Sequence, residues 1–127
     1  MQKNVDVNLV PIVKNHPETT FYIFYPPYSI LTFKDMAKQD WLKTTQLFKQ
    51  YVFSQLQHYP NVKIYDFQAS KEVTCDLDNY RDMTHYHQRI NTWMLQQMKD
   101  EQYLTKDAAT LEKLNQELLK HISECRY

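Results

Sequence analysis

The sequence predicts an α/β fold, a partial three-layer sandwich in which helices flank a small parallel sheet, with an amphipathic helix at the C-terminus. Three observations predict it. Helical and β-type patterns alternate along the chain as helix, strand, helix, strand, the order that builds parallel βαβ units. The first β-type run is apolar and aromatic rather than alternating, as in a strand covered on both faces. The 127 residues, 43% hydrophobic and 14% aromatic, supply the core of one ordinary domain.

Each element follows from local pattern. Val7, Val10 and Val13, with Leu9 and Ile12, make the apolar face of a first helix of about ten residues. It stops near Asn15-His16-Pro17, because a residue before proline is pushed out of the α region. Residues 19–25, TTFYIFY, are β-branched and aromatic and read as a strand closed by Pro26-Pro27. From Asp40 to His58 the apolar residues Trp41, Leu47, Phe48, Tyr51, Val52 and Leu56 recur at threes and fours, with Asp40 placed as N-cap or first-turn acid. Tyr59-Pro60-Asn61 ends that helix, and residues 62–67 form the second strand.

Residues 68–81 are polar and acidic and read as a loop. Ile90, Trp93, Met94 and Met98 then mark a helix of about three turns. The last helix runs from about Lys106 to Glu124 with Leu111, Leu114, Leu118 and Ile122 on one face, a solvated polar face opposite, and Thr105 or Asp107 as its cap. Residues 1–100 thus form the α/β part, and residues 101–127 a helix that packs on the same domain or on a partner. Two parallel strands alone leave both sheet edges unpaired. Further βα units are therefore expected, either upstream of Met1 or from a partner chain.

Composition excludes several classes of function. Fifteen Lys and Arg balance fifteen Asp and Glu, so no basic stripe favours nucleic acid. The tyrosines Tyr22, Tyr25, Tyr28 and Tyr65 sit on or beside the strands and are expected in the core rather than on a binding surface. No apolar stretch reaches the length of a membrane span, and the N-terminus lacks the basic-then-apolar pattern of a signal peptide. The chain contains no glycine, so a P-loop, a dinucleotide-binding G-x-G-x-x-G turn and a G-x-S-x-G elbow cannot be written, and no cofactor is expected. Cys75 and Cys125 lie 50 positions apart, form no C-x-x-C pair and are compatible with one disulfide.

The residues that carry chemistry lie at 78–87, DNYRDMTHYH. An acid three residues before a histidine on a turn can accept the ring's Nδ1 proton and leave Nε2 free as a base, which places Asp82 and His85 as orienter and base. The alternative is that Asp82 caps the next helix and His85 is an ordinary surface histidine. Asp82, His85 and His87 offer three metal ligands within six residues, but no further acid or histidine is placed to close a site, and no metal is expected. His16, His58 and His121 have no companions and are expected in solvent. Ser29, at the C-terminal end of the first strand where α/β folds place ligands, is a candidate nucleophile, the alternative being a local cap. Ser54 and Ser123 fall within helices and Ser70 in the loop.

The string Asn79-Tyr80-Arg81-Asp82-Met83-Thr84-His85-Tyr86, preceded by a strand ending Phe24-Tyr25-Pro26-Pro27-Tyr28, resembles the C-terminal part of the SGNH (GDSL-type) hydrolases, whose last motif is D-x-x-H. It is similar to that motif in bacterial cell-envelope members, including those linked to teichoic acid D-alanylation and exopolysaccharide O-acetylation. The resemblance covers about residues 4–99. It implies an α/β sandwich in which His85 is the general base, oriented by Asp82, acting on an ester or acylated glycan, in the bacterial cell envelope or periplasm. The family's G-D-S block, the glycine of its second block and its G-x-N-D block are absent. The chain by itself is therefore expected to be inactive and to need a missing N-terminal half. The expectation from another class is a non-enzymatic module that binds a partner or a second copy through its sheet edge and C-terminal helix.

Overall fold

The computed structural model describes residues 1–127. The first helical stretch runs as α1 (Gln2–Asn4), a π-helical segment (Val5–Leu9) and α2 (Val10–Asn15), and leads into strand β1 (Phe21–Tyr25). Two helices, α3 (Ile30–Lys38) and α4 (Trp41–Leu56), connect β1 to strand β2 (Val62–Asp66). After β2 come a 3-10 turn at Phe67–Ala69, the short α5 (Lys71–Thr74) and a second 3-10 turn at Leu77–Asn79. Helices α6 (Gln88–Lys99) and α7 (Ala108–Glu124) complete the chain. The fold is thus α/β, with a two-stranded parallel sheet in the register Phe21 to Val62 through Tyr25 to Asp66, flanked by helices. No helix is long and apolar enough to cross a membrane.

Strand alternation decides which helix covers which face. Ile64 joins Val5, Val13, Val52 and Leu56, so α2 and α4 cover one face together with Phe21 and Ile23. Tyr65 joins Phe67, Ile90 and Met94 on the other face, beneath α6. A third cluster, Phe33, Leu42 and Leu118, locks α3, α4 and α7 together. The apolar face of α7 is thereby covered within this chain, and Asp107 is its cap, accepting the Thr110 amide at 2.7 Å.

Several expectations are corrected. β1 is not covered on both faces: Tyr22 and Phe24 remain 49% and 40% exposed, because β1 is an edge strand whose aromatic side leans on Tyr65 and Phe67 without being roofed. Only that edge is open. On the far side of β2, Tyr65 bridges Leu104, the Asp66 amide donates to the Tyr103 carbonyl (2.9 Å) and the Thr105 amide to the Ile64 carbonyl (2.8 Å). The polar stretch after β2 is no solvated loop, since Gln68, Ser70, Val73, Thr74 and Asn79 are buried in its short helical turns. Helix α3 was not expected. Asp40 occupies the N-cap position of α4 but in a left-handed conformation (φ 60°) without a capping bond, where it serves the tight reversal out of α3. His121 is buried, 9% exposed, and burial lowers its pKa from the usual histidine value.

Cys75 and Cys125 form a disulfide, with Cα atoms 6.0 Å apart, that joins the end of α5 to the end of α7. Neighbouring contacts reinforce it: Lys71 pairs with Glu124 at 2.8 Å, and the Tyr127 hydroxyl donates to the Cys75 carbonyl at 2.8 Å. A cross-link spanning 50 positions removes substantial freedom from the unfolded chain. Replacing both cysteines by serine is expected to lower unfolding free energy by roughly 2–4 kcal/mol in urea titrations. A loss below about 0.5 kcal/mol would show that the bond adds nothing to stability.

Candidate functional site

The site is built on a turn that its own sequence closes. Asp82 Oδ1 accepts the backbone amides of Thr84 and His85, each at 2.8 Å, and the Thr84 hydroxyl at 3.3 Å. This is the local side-chain-to-backbone closure that aspartate favours in turns. The other carboxylate oxygen, Oδ2, stands 2.6 Å from His85 Nδ1. An ionised carboxylate only accepts, so Nδ1 carries the proton, and Nε2 is left with no protein partner. Asp82 caps no helix: α6 begins at Gln88, with His87 in the N-cap position.

The segment around the turn is held by backbone and side-chain bonds. Tyr80 bridges Tyr86, the Arg81 amide donates to the His85 carbonyl (2.8 Å), and the His87 amide donates to the Asn79 carbonyl (2.8 Å). From α6, Arg89 donates through Nη2 to Asn79 Oδ1 (2.8 Å) and to the Asp78 carbonyl (2.9 Å). Asn79 is fixed in turn, its side-chain Nδ2 donating to the Val73 carbonyl at 3.1 Å. The short helical turns after β2 are thus the scaffold that presents Asp82 and His85.

His85 lines an open cleft of about 520 Å³ together with Pro26, Tyr28, Thr84, Tyr86 and Asn91. One wall comes from the connection that follows β1 and the other from the turn and the start of α6, so the cleft sits beyond the C-terminal end of β1, the usual ligand position of α/β folds. Tyr28, expected in the core rather than on a binding surface, lines this cleft instead, and Asn91 escapes the sequence reading because nothing local links it to residue 85. Ser29 is placed elsewhere. It is 1% exposed, its hydroxyl donates to the Met83 carbonyl at 2.7 Å, and it lines a separate cleft of about 240 Å³ beside Tyr80, Arg81 and Asp82. The structure therefore brings Asp82 and His85 together and does not bring Ser29 and His85 into one cleft. No three His, Cys, Asp or Glu side chains converge as metal ligands.

Backbone amides of Thr84 and His85, then the His85 ring, hold the Asp82 carboxyl well below the usual carboxylate range. A depressed folded-state value means that the turn's contribution is present above the unfolded-state value of about 3.9 and is lost only as pH falls through the lower folded-state one. Carbon-13 titration of the Asp82 carboxyl is expected to find it still ionised at about pH 3, where an unperturbed aspartate is mostly protonated. A midpoint near 4 would mean that the turn does not hold the carboxylate in solution. No family model, no curated protein and no solved structure matches this chain.

Proposed function

We propose that this chain carries the Asp–His part of an SGNH-type serine esterase or acyltransferase site, with His85 as general base and Asp82 as the residue that orients it. The observation that carries the reading is the 2.6 Å approach of Asp82 Oδ2 to His85 Nδ1, made while Oδ1 is held by two backbone amides. Such a carboxylate fixes the ring tautomer and stabilises the imidazolium that forms during proton transfer. In acyl transfer, Nε2 takes the proton of a serine hydroxyl as its oxygen attacks the ester carbonyl and gives it to the leaving oxygen as the tetrahedral intermediate collapses to a covalent acyl-enzyme. Water or an acceptor hydroxyl then attacks the acyl-enzyme in the same way.

The serine is not Ser29 in this reading, since that hydroxyl is buried and donated to Met83. A chain without glycine also writes neither the G-D-S block nor the G-x-N-D oxyanion block. Nucleophile and oxyanion donors therefore come from another segment, and this chain alone does not turn over ester. The ester or acylated glycan substrate and the cell-envelope setting rest on the resemblance. The disulfide supports an oxidising compartment, since such bonds are rare in the cytosol.

The test is p-nitrophenyl acetate hydrolysis by the polypeptide read through from the DNA preceding the Met1 codon, compared with the present chain alone. The longer polypeptide is expected to contain G-D-S and to lose about 10²–10⁴-fold in rate on His85→Ala, while the present chain stays at background. Hydrolysis unchanged in both His85→Ala and Asp82→Ala would remove these residues from catalysis.

A second reading, a binding module that pairs through its sheet edge, is favoured by one observation: β1 has a strand on one side only and exposes Tyr22 and Phe24 beside its open edge. The covered apolar face of α7 takes that helix out of this reading. Static light scattering discriminates, because self-pairing at the edge requires a dimer that Phe24→Lys dissociates. A monomer at high micromolar concentration would sink it.

A further inference from the structure

The turn that carries His85 lies at the surface, and a surface turn closed only by its own side chain opens readily. An anchor from a distant part of the chain holds this one. The carbonyl of Met83, inside the turn, accepts three donors from the start of α3: the Ser29 amide at 3.1 Å, the Ser29 hydroxyl at 2.7 Å and the Thr32 hydroxyl at 2.6 Å. A carbonyl oxygen offers two lone pairs, so these three saturate it.

Ser29 gives up a local bond to do this. It holds the N-cap position of α3 with the extended backbone (φ -63°, ψ 154°) that suits a capping serine, yet its side chain makes no capping bond and turns to Met83 instead. A second tie runs parallel, the Tyr80 hydroxyl donating to the Pro27 carbonyl at 2.7 Å. Both ties join residues 27–32 to the segment that carries the base. The two walls of the His85 cleft come from these same two segments, Pro26 and Tyr28 facing Thr84 and Tyr86.

We infer that Ser29 and Thr32 are positioning residues for His85, clamping the Met83 carbonyl so that the Asp82–His85 turn keeps its shape and its place across the cleft from Tyr28. The clamp stands on geometry, and only its catalytic purpose rests on the function proposed above. Because it acts at the middle of the turn, its loss frees the Thr84 and His85 amides from Asp82 before it disturbs the sheet.

The experiment is hydrogen exchange followed by NMR on the full chain at neutral pH, together with titration of the Asp82 carboxyl. In Ser29→Ala/Thr32→Val, exchange of the Thr84 and His85 amides is expected to quicken about tenfold. The Asp82 midpoint should rise toward the ordinary carboxylate value, while the amides of Ile64 and Tyr65 in β2 keep the parent's rates. Thr32→Ser, which retains the hydroxyl, should behave as the parent. Unchanged exchange and titration at the turn would overturn the inference, and so would an equal acceleration in β2, which would mark a loss of global stability rather than of positioning. Should the double variant not fold, Thr32→Val alone, at a partly exposed site, is read in the same way. None of these readouts involves ester turnover, so an inactive protein leaves the clamp standing and a failed clamp leaves the proposed base pair standing.

Discussion

Lys49 is carried by α4 into the middle of the protein, where its ammonium meets the carboxylate of Asp66, the last residue of β2, at 2.7 Å with both side chains out of water. A buried charge without its partner is costly, so removing either residue strands the other at a penalty of about 3–5 kcal/mol. The pair does more than join a helix to a strand. The Tyr25 ring, at the end of β1, lies 5.2 Å from the Lys49 ammonium, and burial together with the Asp66 charge pushes the Tyr25 hydroxyl up, so it stays neutral. Asp66 Oδ1 also accepts the Gln68 amide at 3.2 Å and so begins the turn that follows β2. The ends of both strands, the crossover helix and the start of the segment that presents Asp82 and His85 therefore converge on one ion pair.

The absence of glycine shapes the rest. Left-handed backbone, which glycine adopts freely, falls here on Asp40, Glu101 and Tyr103, at a cost on the order of 1 kcal/mol each. Two of these lie where the chain reverses after α6, and contacts offset them: Glu101 pairs with Lys63 at 2.8 Å, and the Tyr103 ring packs edge-on against Phe67. The reversal lays residues 103–105 along β2, which closes one side of the sheet and leaves β1 as its single open edge.

The strands, helices α4, α6 and α7, and the cap of α7 are legible in the sequence because each is a local pattern. The turn at Asp82 is legible for the same reason, an acid and a histidine three positions apart. What escapes is long-range. Helix α3 hides behind Pro26-Pro27-Tyr28, although Ser29 followed by Ile30 and Phe33 carries the spacing of a short helix with one buried side. Residues 68–81 read as a loop because they are polar, yet several are buried by distant elements, with Thr74 donating to the Ser70 carbonyl at 2.7 Å and the Asn79 side chain to the Val73 carbonyl at 3.1 Å. Lys49 occupies the buried stripe of α4 with Leu42, Val52 and Leu56, a place that apolar periodicity does not assign to a lysine. Ser29 pairs with a carbonyl 54 positions away, a relation that no spacing rule reaches.

The bond between Cys75 and Cys125 closes a covalent ring that contains the whole candidate base segment, both helices that follow it and the cover of β2. A backbone cut in the exposed turn near Met83 would open that ring without separating its ends, since every residue on either side stays attached through sulfur. A single scission there leaves one molecule rather than two, until a reductant breaks the disulfide.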